Sequence, residues 1–309
     1  IDGSDDDDYL IGAEAGRALK RMPSNIYWQG LEKLGIRRFI GSQTHYHRTV
    51  EAVYRRAGTR EEALPVDSAD GRDVFRWHAG LPSPPRGFPR DVSLHLRHDE
   101  ALFLHDQIMA LAGDSYLAFL IQRGDEPNLE GDFPWQVEMM GMGPRLVSEL
   151  AHARLFAVAM HGAALLYNLL LAEAAANAER VEEYRGRLSD WETEVAVLGE
   201  DFASWDRNGF WELVHRRNPR IGSRTVRFVR GWWQTALDTP GRDPVADVEH
   251  ARDLVAFRER ELKRDRARLA NLRALENWSG AAGTARFNYR WPVVRLIVGD
   301  IRRGLEDAD

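Results

Sequence analysis

The chain has 309 residues and no cysteine, which excludes disulfides, thiolate catalysis and thiolate-bound zinc. Its hydrophobic residues (44%) and charged residues (29%) occur in ordinary globular proportion and supply enough apolar material for a core. The length suits two domains, or one large helical domain with an appendage, and the lack of cysteine favours the reducing cytoplasm.

The formal net charge of −6 conceals an uneven distribution along the chain. Residues 100–206 carry 6 basic and 19 acidic side chains, whereas residues 213–303 carry 20 basic and 10 acidic ones. These blocks predict a surface with an acidic and a basic pole, unless folding brings the two blocks together.

The first 60 residues predict three short helices, at 12–22, at 24–35 and at 41–58, with a serine cap and a glycine stop on the second. Arg37, Arg38 and Arg48 make the last two helices a candidate nucleic-acid-binding pair. Their connector, residues 35–42, is longer than the roughly 3–4 residues of a helix-turn-helix. Because the chain begins with Ile1 rather than Met, we expect that its natural N-terminus is missing.

A proline-rich segment at 81–89 contains four prolines and predicts a break in helical structure. We therefore place a domain boundary there. Residues 1–88 are expected to form an N-terminal helical subdomain with its connector, and residues 89–309 the main α-helical domain. Beyond the boundary, alternating apolar residues at 92–96 predict one short strand, and Asp99 begins a helix that runs to residue 111.

The most apolar part of the sequence lies at 155–172, where 18 residues carry no formal charge. That length only just reaches the requirement for a membrane span, and His161 and Asn168 within it are costly in lipid. We therefore predict a buried core helix and no membrane association. The helix is expected to begin at Pro144 and to continue to about residue 188.

The rest of the sequence predicts helices at 191–202, 225–235, 245–278 and 292–305, and an extended segment at 285–291. In the second long helix, at 245–278, Glu259 and Lys263 are spaced as an ion pair typical of an exposed face. The predicted fold class is mainly α: a multi-helix domain with two long helices, a small N-terminal helical subdomain and minor β.

Metal-binding signatures are weak. His98 and His105 lie seven residues apart on one helix face, near His95, and are the weak candidates for metal ligands. A half-exposed position beside an apolar stripe explains them equally well. We therefore predict no metal and no cofactor.

Catalytic signatures are equally weak, since neither a P-loop nor a Gly-x-Ser-x-Gly nucleophile motif is present. His161, Asn168 and Glu173, which are polar residues in an apolar helix, are the weak catalytic candidates. Their alternative interpretation is a hydrogen-bonded group inside the core, because a buried amide needs partners.

The basic block contains a stretch, residues 213–231, with six arginines and no acidic residue. Spacings of three and four residues place most of these arginines on one helical stripe beside Phe228, Trp232 and Trp233. Cations interleaved with aromatic residues suit a phosphate backbone with stacked bases. Docking on the protein's own acidic block, or on an acidic partner, is the alternative. The candidate nucleic-acid-binding residues are Arg216, Arg217, Arg220, Arg224, Arg227 and Arg230.

Five short motifs span nearly the whole chain: PS-x-IYW-x-GL from residue 23, GIR-x-F-x-GSQ from 35, GA-x-LLYN from 162, RE-x-x-LK-x-x-x-ARL-x-N from 258 and YRW from 289. Through them the chain resembles an uncharacterised bacterial family of unknown function, to which no chemistry is assigned. The resemblance implies about a hundred further N-terminal residues, the size of a small domain. It also implies gene neighbourhoods with helicase and phospholipase D-like nuclease genes of phage-defence type, which is an association and not a role.

Together these observations favour a non-enzymatic helical subunit of a bacterial defence or DNA-processing system. We expect it to contact DNA, RNA or a protein partner through its basic C-terminal third. A metal-dependent nuclease or hydrolase with an unrecognised site is one alternative, and a structural dimerisation scaffold is another. The sequence leaves the oligomeric state open.

Overall fold

The computed structural model describes residues 23–57, 77–88, 93, 95–123, 129–137, 141–238 and 243–307. These residues form twelve α-helices and two short 3-10 turns, and no β-strand lies among them. Their β-structure is an isolated antiparallel bridge between Arg37 and Trp77. The prediction of a mainly α fold is confirmed. The helix predicted at 12–22 lies outside the described residues, as does part of the strand predicted at 92–96.

Contacts within the chain define two compact units. The first comprises residues 1–129 and 292–309, and the second comprises residues 130–291. Residues 81–88 are non-helical, as their prolines led us to expect. The proline-rich segment lies inside the first unit in this grouping, and the domain boundary predicted at residue 88 stays a prediction.

The N-terminal helices of the first unit meet around an aromatic cluster. The indole N–H of Trp28 donates to the carbonyl of Gly41 at 3.0 Å, and its ring lies 5.4 Å from that of Tyr46. Gly35 follows the first helix with a φ of 64°, which glycine adopts without steric cost. The helices are α1 (Pro23–Lys33), α2 (Gln43–Ala57), α3 (His98–Ala112), α4 (Tyr116–Gln122) and α12 (Trp291–Glu306), the last belonging to this unit from Pro292 onward.

The second unit is built around one long apolar helix, α5 (Pro144–Ala174), which packs chiefly on α6 (Ala178–Val197). The core of this unit is formed by α5 and the apolar faces of the helices around it. Those helices are α6, α7 (Gly199–Ser204), α8 (Arg207–Arg217), α9 (Ser223–Ala236) and α10 (Glu249–Lys263); the short helix α11 (Leu272–Glu276) also belongs to this unit.

The long helix begins at Pro144, as predicted, because the first helical position leaves its N–H unpaired in any case. It ends at Ala174, well before the predicted residue 188. Ala176 adopts a φ of 51°, and Asn177 then caps α6 by accepting the N–H of Arg180 at 3.0 Å. The single helix expected from sequence is therefore a hairpin of two helices.

Two tryptophans attach neighbouring helices to α5. The indole N–H of Trp191, on α6, donates to the carbonyl of Val158 at 2.8 Å. On α9, the indole of Trp232 donates to the carbonyl of Ala159 at 2.7 Å. Gly162 leaves room for the first of these rings, since a methyl group at that position would overlap the indole.

Among the described helices, α5 is long and apolar enough to cross a membrane by length and composition. However, 67% of its most apolar 18-residue window is buried inside the protein. Such burial is typical of the core helix of a soluble protein, and the predicted core helix is confirmed.

The second long helix is shorter than predicted from residues 245–278. It ends at Lys263 because Arg264 adopts a φ of 49°, which a non-glycine residue rarely takes. A 3-10 turn (Arg264–Arg266) and a loop then lead to α11. The sequence predicted one continuous helix here, but the chain bends at the exposed 3-10 turn, which contains two arginines.

Candidate nucleic-acid interface

A buried carboxylate holds the loop that follows α10. Glu259 is only 4% exposed and accepts the backbone N–H groups of Arg268 (2.9 Å) and Leu269 (3.0 Å). It also accepts hydrogen bonds from the hydroxyl of Tyr167 and from the ammonium of Lys263 (3.1 Å). The same ammonium donates a second hydrogen bond to the hydroxyl oxygen of Tyr167 at 2.7 Å. One network therefore joins α5, α10 and the loop.

This network fixes the charge of its members. Burial by itself raises the pKa of Glu259, but hydrogen bonds from Tyr167, the two backbone N–H groups and Lys263 hold the pKa below its ordinary value. Burial, reinforced by the neighbouring carboxylate, raises the pKa of Tyr167. At neutral pH the carboxylate is therefore charged and the phenol is a neutral donor. The expectation that Glu259 lies on an exposed face was wrong.

Asn168 is completely buried, and every hydrogen-bonding position of its amide is used. Its nitrogen donates to the carbonyls of Ala164 (2.8 Å) and Ala282 (2.9 Å). Its oxygen accepts the backbone N–H of Ala282 (2.7 Å) and the indole N–H of Trp278 (3.2 Å). This geometry favours the core interpretation over a catalytic one, because the amide has no capacity left for a substrate.

The other two catalytic candidates have separate partners. The Nε2 of His161 lies 3.2 Å from the carbonyl of Thr284, and burial lowers the pKa of this histidine. Glu173 forms an ion pair with Arg252 and lies 3.6 Å from Arg185. Each residue therefore serves a different structural contact, and the catalytic role of the three stays a prediction.

The basic stretch folds into the end of α8, a turn and the first part of α9. All six predicted arginines of this stretch are exposed. We refer to this surface as the α8–α9 basic face, and it comprises Arg216, Arg217, Arg220, Arg224, Arg227 and Arg230.

Half of the basic face is occupied by contacts within the protein. The three contacts are Arg217 with Glu149 (3.5 Å), Arg224 with Glu261 (3.7 Å) and Arg230 over the Trp211 ring (5.7 Å). Arg216, Arg220 and Arg227 form no ion pair with any residue that the structure describes. These three guanidinium groups keep their charge directed at solvent.

The aromatic residues of this stretch face the opposite way. Trp232 and Trp233 are 0% and 2% exposed and belong to the core of the second unit. Phe228 is partly buried, with the guanidinium of Arg258 5.5 Å from its ring centre. The expectation that Trp232 and Trp233 could stack on bases was therefore wrong, since their rings cannot reach a ligand.

A groove of about 660 Å³ opens on the basic face beside the end of α8. Arg227, Arg230 and His215 line it together with the apolar side chains of Ile221 and Val226. Cations thus stand at the wall of a shallow concave surface, which is where a phosphate chain can approach closely.

Other parts of the basic block are neutralised inside the second unit. Arg252 pairs with Glu173 on α5, and Arg286 forms a two-pronged ion pair with Glu194 on α6, with one N–O distance of 2.8 Å. These pairs are the docking of basic on acidic block that the sequence left open as an alternative. Arg252 and Arg286 lie outside the α8–α9 basic face, whereas Arg217 is the member of that face that takes part in this docking, through Glu149.

The N-terminal candidates divide in the same way. Arg37 is 2% exposed, donates to the carbonyl of Trp28 at 3.1 Å and pairs with Glu32. Its guanidinium also lies 4.4 Å from the Trp28 ring centre. Arg37 is therefore withdrawn from the predicted nucleic-acid-binding residues, whereas Arg38 and Arg48 are exposed and remain predictions.

The candidate metal ligands do not converge. His98 is exposed at the start of α3, and the Nδ1 of His105 lies 2.9 Å from the carboxylate of Asp106. The Nδ1 of His95 lies 3.4 Å from the guanidinium of Arg303, a cation that disfavours a metal ion nearby. Across the described ranges, no group of three or more histidine, aspartate or glutamate side chains is placed to hold a metal.

Comparison with known proteins places these features in a family. A model described as a family of unknown function, DUF6361, matches residues 4–304, which is nearly the whole chain. The chain belongs to the DUF6361 family. No curated protein and no solved structure matches it. The resemblance to an uncharacterised family is thereby confirmed.

Within the family's sequence, two of the motifs meet at the buried network. The LLYN motif supplies Tyr167 and Asn168, and the motif at 258–271 supplies Glu259 and Lys263. Sequence reasoning found the amide but missed the burial of the carboxylate. The available signal was a tyrosine next to that amide in an otherwise apolar helix, since its hydroxyl also needs a partner.

Proposed function

We propose that this member of the DUF6361 family is a non-enzymatic subunit that binds the phosphate backbone of DNA or RNA through the α8–α9 basic face. The observation that carries the proposal is the exposure of Arg216, Arg220 and Arg227 without an ion pair to any described residue. An arginine without an acidic partner can give its planar, permanently charged group to a phosphate.

The buried tryptophans define the expected mode of binding. Because Trp232 and Trp233 lie in the core, their rings cannot stack on bases. The α8–α9 basic face therefore offers a nucleic acid positive charge and hydrogen-bond donors. Binding should therefore depend on the backbone and only weakly on base sequence. Three arginines without an ion pair to a described residue predict the salt dependence of binding to duplex DNA. A plot of the logarithm of the binding constant against the logarithm of the salt concentration should have a slope of about −2.7.

The proposal also covers the kind of system in which the protein acts. The three catalytic candidates are engaged in separate structural contacts, which supports a binding subunit over a hydrolase. The motif resemblance, with its helicase and nuclease neighbours, supports a role in a bacterial defence or DNA-processing system in the cytoplasm.

The test compares two triple variants that lose the same charge. In one, Arg216, Arg220 and Arg227 are changed to glutamine; in the matched control, the exposed residues Arg86, Arg290 and Arg303 are changed to glutamine. Fluorescence anisotropy measures binding of short single and double strands of DNA and RNA across a salt series.

We expect the first variant to weaken binding by about tenfold or more at low salt and to flatten the salt dependence, since three phosphate contacts are lost. The control should change affinity by less than about threefold, because none of its three arginines belongs to the α8–α9 basic face. Absent binding, salt-insensitive binding, or equal loss in both variants would overturn the proposal.

A further inference from the structure

A second groove, of about 720 Å³, lies at the end of α10 above the loop that leads to α11. Its walls carry three arginines, Arg260, Arg264 and Arg273, and one carboxylate, Asp265. All four residues are exposed, and none of the arginines forms an ion pair with another described residue. The groove therefore concentrates positive charge in a concave surface separate from the α8–α9 basic face.

The backbone beneath this groove is held in an uncommon conformation. Arg264 has a φ of 49° and a ψ of −123°, which costs free energy for a side chain larger than glycine. The Glu259 network fixes the far side of the loop, and the amide of Asn271 donates to the carbonyl of Asp265 at 2.7 Å. These contacts determine where the Arg264 side chain stands at the groove wall.

We infer that this groove binds a phosphomonoester, carried either by a free nucleotide or by the end of a nucleic-acid strand. Three guanidinium groups match the charge and the acceptor oxygens of a terminal phosphate. Asp265 can accept a sugar hydroxyl, and Leu272, which is 76% exposed at the same groove, offers an apolar contact to a sugar or base. The groove volume falls within the roughly 300–1,000 Å³ of small-molecule sites.

The inference does not rest on the proposed backbone binding, because the two surfaces share no residue. Glu261 follows Arg260 directly in the sequence and pairs with Arg224 of the basic face at 3.7 Å and with Arg258 at 3.3 Å. This carboxylate neutralises the side of α10 that faces α9. Substitutions in one surface therefore leave the other intact.

The test uses the full chain with Arg264→Gly and Arg273→Gln combined. Glycine is chosen because it adopts a positive φ at no steric cost, so the variant should fold at least as well as the wild type. Circular dichroism melting checks folding, and Arg273→Gln alone provides a second variant with an unaltered backbone. The probes are AMP, ATP, inorganic phosphate, and two oligonucleotides of one sequence with a 5′-phosphate or a 5′-hydroxyl.

We expect the wild type to bind AMP or to prefer the 5′-phosphorylated strand by about tenfold, and the double variant to lose that binding or preference. AMP binding identifies a free nucleotide, and strand preference without AMP binding identifies a strand end. The triple variant at Arg216, Arg220 and Arg227 should keep either property. If the wild type binds AMP but no oligonucleotide, the proposed backbone binding is overturned and the inference about this groove stands.

The inference fails if the folded wild type binds neither AMP, ATP nor phosphate and shows no preference for the 5′-phosphate. It also fails if such binding survives in both the double variant and Arg273→Gln.

Discussion

Glu259→Gln tests how much the second unit depends on one buried charge. The amide keeps the size of the side chain, but its nitrogen cannot accept the hydrogen bonds that the carboxylate oxygens accept from Tyr167, Lys263 and the backbone of Arg268 and Leu269. Whichever way the amide turns, at least one native donor faces another donor. The ammonium of Lys263 also loses its counter-charge.

The magnitude follows from these contacts. A hydrogen bond to a charged group contributes about 1.5–3 kcal/mol and a neutral one about 0.5–1.5 kcal/mol. Breaking a buried ion pair typically costs about 3–5 kcal/mol. Because the side chain of Lys263 is 38% exposed and can be rehydrated, we expect the lower end, about 3 kcal/mol.

Urea denaturation at pH 7, followed by circular dichroism, measures this loss as a lower midpoint with an unchanged slope. The control is Glu276→Gln, an exposed carboxylate on α11, which should change the free energy of unfolding by less than about 0.5 kcal/mol. A loss below about 1 kcal/mol for Glu259→Gln, or an equal loss in the control, would refute the reasoning.

The same pair of proteins gives a pH test. The pKa of Glu259 is lowered on folding, so its contribution is complete above the unfolded pKa of about 4.3 and is lost as the pH falls through the lower folded value. The stability difference between wild type and Glu259→Gln should be constant from pH 7 to about pH 5 and should narrow below about pH 4. A difference that stays constant down to pH 3 would contradict a charged carboxylate in the network.

Two further predictions follow from the core. Gly162→Ala should lower the free energy of unfolding by about 1–3 kcal/mol, because the added methyl group overlaps Trp191. Gly186→Ala, in open space on α6, should raise it by up to about 1 kcal/mol, because alanine favours a helix over glycine. Thermal melting should therefore give shifts of opposite sign for the two variants. The Nδ1 of His152 accepts a hydrogen bond from the indole N–H of Trp205 at 2.9 Å, and burial lowers the pKa of this histidine. The contribution of neutral His152 to the free energy of unfolding is therefore complete above pH about 6.5 and declines as the pH falls below that value. His152→Asn keeps an acceptor that does not titrate and should lose less stability between pH 7 and pH 5 than the wild type does, measured by urea denaturation; an equal loss would contradict the assignment.

Helix content and the central position of α5 could be predicted because they depend on composition over many residues. Eighteen uncharged residues with a histidine and an asparagine among them describe a buried helix that must satisfy two polar side chains. The satisfied state of Asn168 followed from the same physics. Its partners did not, because Ala282 and Trp278 lie more than 100 residues away in sequence.

The C-terminal ends of the two long helices were missed for different reasons, one a local cap and the other a contact between residues distant along the chain. Ala176 and Arg264 adopt positive φ values although neither is glycine. In the first case the cap supplied by Asn177 favours the turn, and in the second the carboxylate of Glu259 captures the backbone beyond the bend. Asn177 is a local signal for the first event, since asparagine is a favoured helix N-cap, whereas the sequence around Arg264 contains no local signal for the second.

Charge counting identified the basic segments but could not divide their arginines by role. Arg37 and Arg216 look alike in sequence, yet one is enclosed by Trp28 and Glu32 and the other lies in solvent. The difference depends on which acidic and aromatic side chains folding brings within a few ångströms. Only the pairings show which arginines remain for a ligand.

Within α10, two glutamates two residues apart illustrate why those pairings matter. Glu259 points into the core and fixes the loop that carries Arg264, whereas Glu261 stays near the surface and pairs with Arg224 and Arg258. Separation by two residues turns a side chain by about 200° around a helix, so one face can serve the core while the other faces α9. The carboxylates of this short segment thereby hold one basic surface in place and partly neutralise the edge of the other. The basic block is thus divided into two candidate phosphate-binding surfaces, each of which can be removed by substitution without the other.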